Sequence, residues 1–412
     1  MLRPSFGMEC NHCNGITATY SHQELFPRFA RWHSFRAIRS VPTYSTLYTE
    51  AKMKILHFIT SLRTGGAERL VLDLIPRLRA IGHEVDLLVM DGTDCIFTSL
   101  ASERGIKVNS LGIGATAMHN PMLAGRLRRF LIKGLYDIVH THNTPCQMLT
   151  AAVAPRNIVL VTTEHNTDNR RRNNKLWHSI DRMMYSRYRS IIACGEETAS
   201  SLSAYMPELS HKISIVSNGI DLSAFAGTIP AADIRQRFPT QKIIVMVAAF
   251  RPQKDHATVL QALSLLPDDY ALVLAGTGDT LEEHINMAKT LGIHERVMFA
   301  GTRSDIASIY ATSDVAVLST HHEGLSLAAV EAMASGRPLV ASDVDGLRNT
   351  VVPGAMLFPD GDPEALADKM HMLCSNRQLW QDTADACRRR AADFDIENTA
   401  QGYNDIYKRF TK

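Results

Sequence analysis

From Met53 onward the chain alternates short runs of β-branched and aliphatic residues with longer stretches of helical periodicity, and this alternation constrains the fold more than any other feature. Strands read at 55–60, 85–90, 137–141, 159–163, 191–193 and 213–216 and, after a break, at 243–248, 270–275, 297–300, 315–319 and 339–341. The runs are continuously apolar rather than alternating, as strands covered on both faces must be. Helices between successive strands make the connections parallel crossovers. The reading is α/β, with two doubly wound parallel sheets in series. The break at 221–237 holds Gly227 and Pro230 and no strand, and is read as a linker. Domains are therefore expected at 53–222 and 223–395, with 396–412 a terminal helix that can pack back on the first domain.

Composition supports this and narrows the partners. At 412 residues the chain has room for two domains, and 45% hydrophobic with 21% charged residues excludes a disordered or fibrous chain. Lys plus Arg number 44 against 42 Asp plus Glu, a net charge of +2, so any polyanion site must be local. The seven cysteines (Cys10, Cys13, Cys95, Cys146, Cys194, Cys374 and Cys387) are scattered and odd in number, which fits a reducing compartment better than a disulfide framework. No apolar run approaches the roughly 18–20 residues of a membrane helix; the longest, 243–250, is strand-sized.

Residues 1–52 lack hydrophobic periodicity, and Met53 is read as the biological start, with the preceding residues a non-native or disordered extension. A small N-terminal element, or an organelle-targeting peptide carrying Arg3, Arg28, Arg31, Arg36 and Arg39, are the alternatives. Glu9, Glu24 and Glu50 oppose the second. Cys10, His12 and Cys13 lack a second pair of zinc ligands at usable spacing.

In open α/β sheets ligands bind at the carboxyl ends of strands, so the loops after strands carry the functional expectations. After the first strand, Gly65 and Gly66 open a helix, where bare backbone N–H groups can approach a phosphate or sugar; a plain tight turn reads equally well. There is no P-loop lysine and no G-x-G-x-x-G fingerprint. The densest stretch runs from Val315 to Pro338. A strand ends near Ser319, a loop carries Glu323 and Gly324, and a helix begins about Ser326. The N–H groups of Gly324, Leu325 and Ser326 face any anion before that helix. Glu331, among Leu327, Ala328, Val330 and Met333, lies on a largely buried helix where an unpaired carboxylate is costly, and a carboxylate can accept from two vicinal sugar hydroxyls.

The pair Glu323-x7-Glu331 followed by Gly336-x-Pro338 resembles the nucleotide-sugar signature of retaining glycosyltransferase family 4, whose GT-B fold sets two Rossmann-like domains face to face across a cleft. Gly65-Gly66-Ala67-Glu68, His140-Thr-His142, Ser217-Asn218-Gly219-Ile220-Asp221, Gln253-Lys254-Asp255-His256, Ala275-Gly276-Thr-Gly278, Phe299-Ala-Gly301 and Ser313-Asp314-Val315 agree in order and spacing, over nearly all of 53–395. The resemblance implies that Glu331 binds the ribose, Glu323 faces the transferred sugar and Lys254 holds the diphosphate. Gly301 and Thr302 would lie beside the base, Gly65 and Gly66 over the phosphates, and His142 near the donor sugar. It also implies no metal and no cofactor beyond the nucleotide diphosphate sugar. The family's phosphate-binding arginine falls at Ala249; Arg251, of the same strand parity if the chain stays extended, is expected to replace it. A family glutamate is replaced near Asp345-Gly346 by Asn349.

Three D-x-D matches, at Asp343, Asp360 and Asp393, show how unspecific that metal pattern is. The stretch 169–190 holds Arg170, Arg171, Arg172, Lys175, Arg182, Arg187 and Arg189 with Trp177, Tyr185 and Tyr188. With Arg126, Arg128, Arg129 and Lys133 it suits an anionic membrane or lipid-phosphate surface, or equally a solvated helix. His165 and Arg170 to Arg172 are the acceptor-side candidates, and His140 is read as packing. The expectation is a metal-independent hexosyltransferase acting on a lipid-linked or growing glycan in cell-surface polysaccharide synthesis. It would be cytoplasmic or peripheral on the cytoplasmic membrane face, and would not bind nucleic acid. A nucleotide-sugar epimerase and a non-catalytic sugar-binding descendant are the alternatives.

Overall fold

A computed structural model describes residues 52–63, 65–112, 122–165, 175–323, 325–351 and 356–410. The first sheet holds β1 (Lys54–Ile59), β2 (Glu84–Val89), β3 (Val108–Ser110), β4 (Ile138–His142), β5 (Val159–Glu164), β6 (Ser190–Ala193) and β7 (Ile213–Ile215). The second holds β8 (Lys242–Val247), β9 (Tyr270–Ala275), β10 (Val297–Gly301), β11 (Val315–Leu318), β12 (Leu339–Ser342) and β13 (Met356–Phe358). Every pairing is parallel, in the orders β3-β2-β1-β4-β5-β6-β7 and β10-β9-β8-β11-β12-β13. This is the expected pair of Rossmann-like sheets. Strand order reverses between β1 and β4 and again between β8 and β11, and at such switch points the loops diverge and leave a crevice at the carboxyl ends. Two edge strands, β3 and β13, of three residues each, were absent from the sequence reading, whereas β7, equally short, was legible in its Ile-Ser-Ile run.

The segment read as a linker is part of the second domain. Leu222–Phe225 forms a 3-10 turn and Ala232–Arg237 a short helix. Ala231, Ile234 and Phe238 are buried in one core cluster with Ile243 and Val245. Polar residues on the outer side of that helix mask its apolar stripe in a linear reading.

The chain crosses between domains at one place. Ile220 N–H donates to Phe394 C=O at 2.9 Å and Ile396 N–H to Ile220 C=O at 2.9 Å. Gly219 permits this approach, since a Cβ there would lie 2.7 Å from the Asp395 backbone. Beyond the crossing, the helix Ile396–Lys408 returns to the first sheet, where Tyr403, Ile406 and Tyr407 join Ile55, Ile59, Ile138 and Val161 in a single core. Among the described residues no helix is long and apolar enough to cross a membrane, and Cys95, Cys146, Cys194, Cys374 and Cys387 are unpaired.

Candidate active site

The second domain's side of the crevice is built from the loops after β8 and β11. Phe250, fully buried, stacks on His256 with ring centroids 4.0 Å apart. Its N–H donates to Thr277 C=O at 3.0 Å, so the turn after β8 is pinned to the loop after β9. The extended run assumed for Arg251 is not kept. β8 ends at Val247, and Arg251 N–H donates to Ala249 C=O at 2.8 Å, a tight three-residue turn that leaves the Arg251 side chain exposed. The next turn brings Lys254 to Glu323. The two form an ion pair and are only 18% and 12% exposed. The backbones beneath are stitched together: Ser319 Oγ donates to Asp255 C=O at 2.7 Å, Thr320 Oγ1 to Gln253 C=O at 2.8 Å, and His321 N–H to Gln253 C=O at 2.9 Å.

Gly324 lies outside the described residues. Ser326 then caps the helix Leu327–Ala334, its Oγ accepting from Ala329 N–H at 3.4 Å. Across the crevice stands the amino terminus of the first domain's helix Gly66–Ile81, and a Cβ on Gly66 would lie 3.4 Å from Leu327 Cδ1. The structure thus brings Gly66 to the start of the helix that carries Glu331. Burial pushes the Glu331 carboxyl up to about 7; Arg69, on the opposite domain, pulls it down and Asp73 pushes it up. Arg69 is itself held by Asp73 at 2.9 Å. A second cross-domain contact joins Asn349 Nδ2 to Glu197 Oε1 at 3.1 Å, so Asn349 meets the first domain.

Under the first domain's half lies a layer of histidines. His142, at the end of β4, is fully buried. Its Nε2 is 3.0 Å from His57 Nδ1 and its Nδ1 3.0 Å from His165 Nε2. Both nitrogens face histidines, so the ring is not presented to the crevice as the expected sugar contact requires. His140 lies in register with His57 and bonds Tyr407 at 2.5 Å and Thr163 at 2.7 Å, a hydrogen-bonded packing role. Burial is the largest cause of depressed pKa values in all four: His57 falls to about 3, His165 to about 4, and His140 and His142 well below the ordinary range. The imidazoles are therefore neutral near pH 7. His165 is half-buried and faces a cavity of about 280 Å³ lined also by Asn143, Thr144, Gln147 and Glu164.

Between the loops after β9 and β10, Gly301 accepts from Gly276 N–H at 2.8 Å, and the Thr302 and Thr277 hydroxyls are 3.2 Å apart. Thr302, Gly276 and Ala249 line a cavity of about 180 Å³, and Arg251 is not among its walls. Arg170, Arg171 and Arg172 lie outside the described residues. The basic stretch that follows is less aromatic at its surface than its sequence suggests, because Tyr185 and Tyr188 are core residues at 3% and 0% exposure. Asp343 and Asp345 bind Arg348 at 2.7 and 2.9 Å, and Asp393 binds Arg390 at 2.7 Å.

One residue beside the site escaped the sequence reading, and a second was named there without a role. Asn143, just after His142, has φ +74, a strained conformation for a side-chain-bearing residue. It bonds Glu68, whose carboxyl burial raises while this bond and its own backbone lower it. Glu68 stood in the Gly-Gly-Ala-Glu motif, and its approach to the carboxyl end of β4 was the missing signal.

The family model described as Glycosyl transferases group 1 matches residues 231–393, and that described as Glycosyltransferase Family 4 matches residues 64–224. The provisionally named glycosyltransferase EpsF of Bacillus subtilis (strain 168) is 30% identical over 316 residues, 71% of this chain and 80% of its own length. The UDP-Gal:alpha-D-GlcNAc-diphosphoundecaprenol alpha-1,3-galactosyltransferase of Escherichia coli is 26% identical over 320 residues, 72% of this chain and 81% of its own. Among solved structures, Anabaena Alr3699/HepE in complex with UDP and glucose superposes with a TM-score of 0.75 at 20% identity, covering 86% of this chain and 99% of that one.

Proposed function

The chain belongs to glycosyltransferase family 4, and from that membership we propose that it moves a hexose, with retention, from a nucleotide diphosphate sugar to a hydroxyl on a lipid-linked or growing glycan. One observation carries this reading: Lys254 and Glu323 are paired before the helix that bears Glu331, and the first turn of that helix meets Gly66 across the crevice. A diphosphate between them would meet a cation and two helix amino termini, fixed charges that stabilise the negative charge developing on a leaving phosphate without help from a metal. Arg251 can add a second cation from the exposed turn. Glu331 would accept from the ribose hydroxyls and Glu323, once exchanged off Lys254, would face the sugar. The departing phosphate takes the acceptor proton on the same face, so the neutral histidines need not act as bases. The Escherichia coli relative, whose name specifies a UDP-sugar donor and a diphosphoundecaprenol acceptor, supports this choice of substrates.

The acceptor side suits a membrane surface. On the helix Met122–Gly134, Met122 and Ile132 are 62% and 52% exposed, and Arg126, Arg128, Arg129 and Lys133 share that outer face. An exposed apolar and basic face of this kind binds anionic bilayers peripherally.

Thermal shift with uridine, guanosine and adenosine diphosphate sugars tests the donor. Ligand at a hundredfold over its dissociation constant stabilises by about 2.7 kcal/mol. Product analysis on the hit, with the anomeric configuration read by NMR, separates retaining transfer from epimerisation. No shift and no turnover with any donor would leave only a non-catalytic role.

A further inference from the structure

Asp360, set aside with the other D-x-D matches, meets Asp255 and His321 beside the Lys254–Glu323 pair. These three come from the loops after β13, β8 and β11. His321 Nδ1 is 2.8 Å from Asp360 Oδ1. A carboxylate only accepts, so Nδ1 is the donor to Asp360, which leaves Nε2 as the ring atom able to bind a ligand. Nε2 in turn faces Asp255 Oδ2 at 3.9 Å. That oxygen is buried without a hydrogen-bond partner, on a side chain only 9% exposed. Its other oxygen is engaged, accepting from Thr258 N–H at 3.2 Å to cap the helix His256–Leu265. Asp255 is held there at φ +46, a conformation that costs a non-glycine residue energy and fixes where Oδ2 points. Two groups able to accept thus face each other across a gap that is closed on the Asp255 side and open at the His321 ring, 45% exposed, and their repulsion is relieved by a proton or a cation held between them.

We propose that Asp255 Oδ2 and His321 Nε2 bind a divalent cation of the Zn²⁺ class, with Asp360 holding the imidazole ring from behind and water completing the coordination. Imidazole with carboxylate is a donor set that such ions accept. Two ligands with bonds of about 2.1 Å at a tetrahedral angle stand about 3.4 Å apart, so the gap closes by about 0.5 Å on binding. Asp360 supplies the carboxylate–histidine–metal relationship that sets the tautomer and orients the ring. The ion takes no part in bond exchange. It ties the loop carrying Glu323 to the loop carrying Lys254 and so fixes the spacing of the two groups.

The test is direct titration of the full chain with Zn²⁺ against a chromophoric chelator, repeated with Co²⁺ read by its visible absorption. His321→Gln and Asp255→Asn, the second of which keeps an oxygen to cap the helix, each weaken binding by at least about 100-fold; Asp360→Asn weakens it by roughly 10–100-fold. Thermal unfolding without metal confirms that the variants are folded. Metal bound elsewhere in the chain survives these substitutions, so the component they remove is the one that counts. No saturable binding by the parent chain, or binding that all three substitutions leave unchanged, overturns the proposal. So does a His321 ring that takes up a proton sensitive to Asp255→Asn in a chain that takes no metal, which would assign the gap to hydrogen rather than to an ion.

Discussion

Lys254 and Glu323 neutralise each other between two loops that belong to different strands of the second sheet. Each would be a poorly solvated lone charge if the other were removed, and charged groups left unpaired in shielded positions are costly. A diphosphate that draws Lys254 away must therefore also release Glu323 toward the sugar.

Lys254→Ala and Glu323→Gln should each lower kcat by about 10²–10³, the range seen when one electrostatic stabiliser of a transition state is lost. The double variant should fall by much less than the product of the two single losses, because the pair acts as a unit. Arg251→Ala should weaken donor binding without altering thermal stability, since its side chain is exposed. Steady-state kinetics on the hit donor checks all three. Multiplicative losses would mean that Lys254 and Glu323 act independently rather than as a unit, and unchanged donor binding by Arg251→Ala would remove that arginine from the site.

Glu331 gives a pH signature. Its folded-state value of about 7 exceeds the ordinary carboxyl value of 4.5, so the folded chain holds the extra proton and this group's contribution to stability declines as pH rises from 4.5 to 7. Glu331→Gln should therefore gain stability over the parent across that window, reaching on the order of 2–3 kcal/mol at pH 8. Donor affinity should move the opposite way in the parent, strengthening as pH passes 7 because only the ionised carboxylate can accept from both ribose hydroxyls. Denaturant unfolding and donor titration from pH 5 to 8 measure the two; a flat difference between parent and variant would refute the assignment.

The histidines act with the reverse sign. His57 at about 3 and His165 at about 4 lie below the ordinary 6.5, so their contribution is complete above pH 6.5 and is lost as pH falls toward 4. Each such group adds about 1.4 kcal/mol per pH unit to the slope. His165→Gln should flatten the decline between pH 6.5 and 5 by that amount. A midpoint insensitive to acid over this interval would show that the layer opens to water at little cost.

At the crossing, Gly219→Ala should destabilise the chain by roughly 1–3 kcal/mol, the usual cost of forcing a group into a filled space. Its Cβ would lie 2.7 Å from the Asp395 carbonyl carbon and 2.8 Å from Ile396 N, and neither backbone atom can rotate away. Calorimetry resolves the effect, while Gly292→Ala, where nothing stands within 4 Å, carries only the strain of φ +72 and is the comparison.

Strands such as 270–275 were legible because a parallel strand buried on both faces writes its position as an unbroken apolar run, and the loops after them inherited that certainty. The pairing of Lys254 with Glu323 was legible only as two members of one site. Their contact depends on how the β8 and β11 loops close. The histidine layer was hidden for a different reason: His57 meets His140 through strand register, and His140 meets Tyr407 across 267 positions of chain. Neither distance leaves a local pattern. Tyr185 and Tyr188 were misread because interleaving along a sequence does not tell which side chains turn inward from a helix, as Tyr185 does, or from the turn after it, as Tyr188 does. The linker reading failed at Ile234, one fully buried side chain among polar neighbours.

Tyr403, Ile406 and Tyr407 complete the core over β1 and β4, yet they are made some 260 residues after His142. During synthesis the first sheet must wait with its histidine face uncovered while the second domain is translated and folds. Only when the helix Ile396–Lys408 has left the ribosome can that face close, with Ile220 and Ile396 joining at the crossing as it does. A helix made after the second domain thus seals a sheet made before it, and a chain cut short at 395 should leave the His140 ring without its Tyr407 partner.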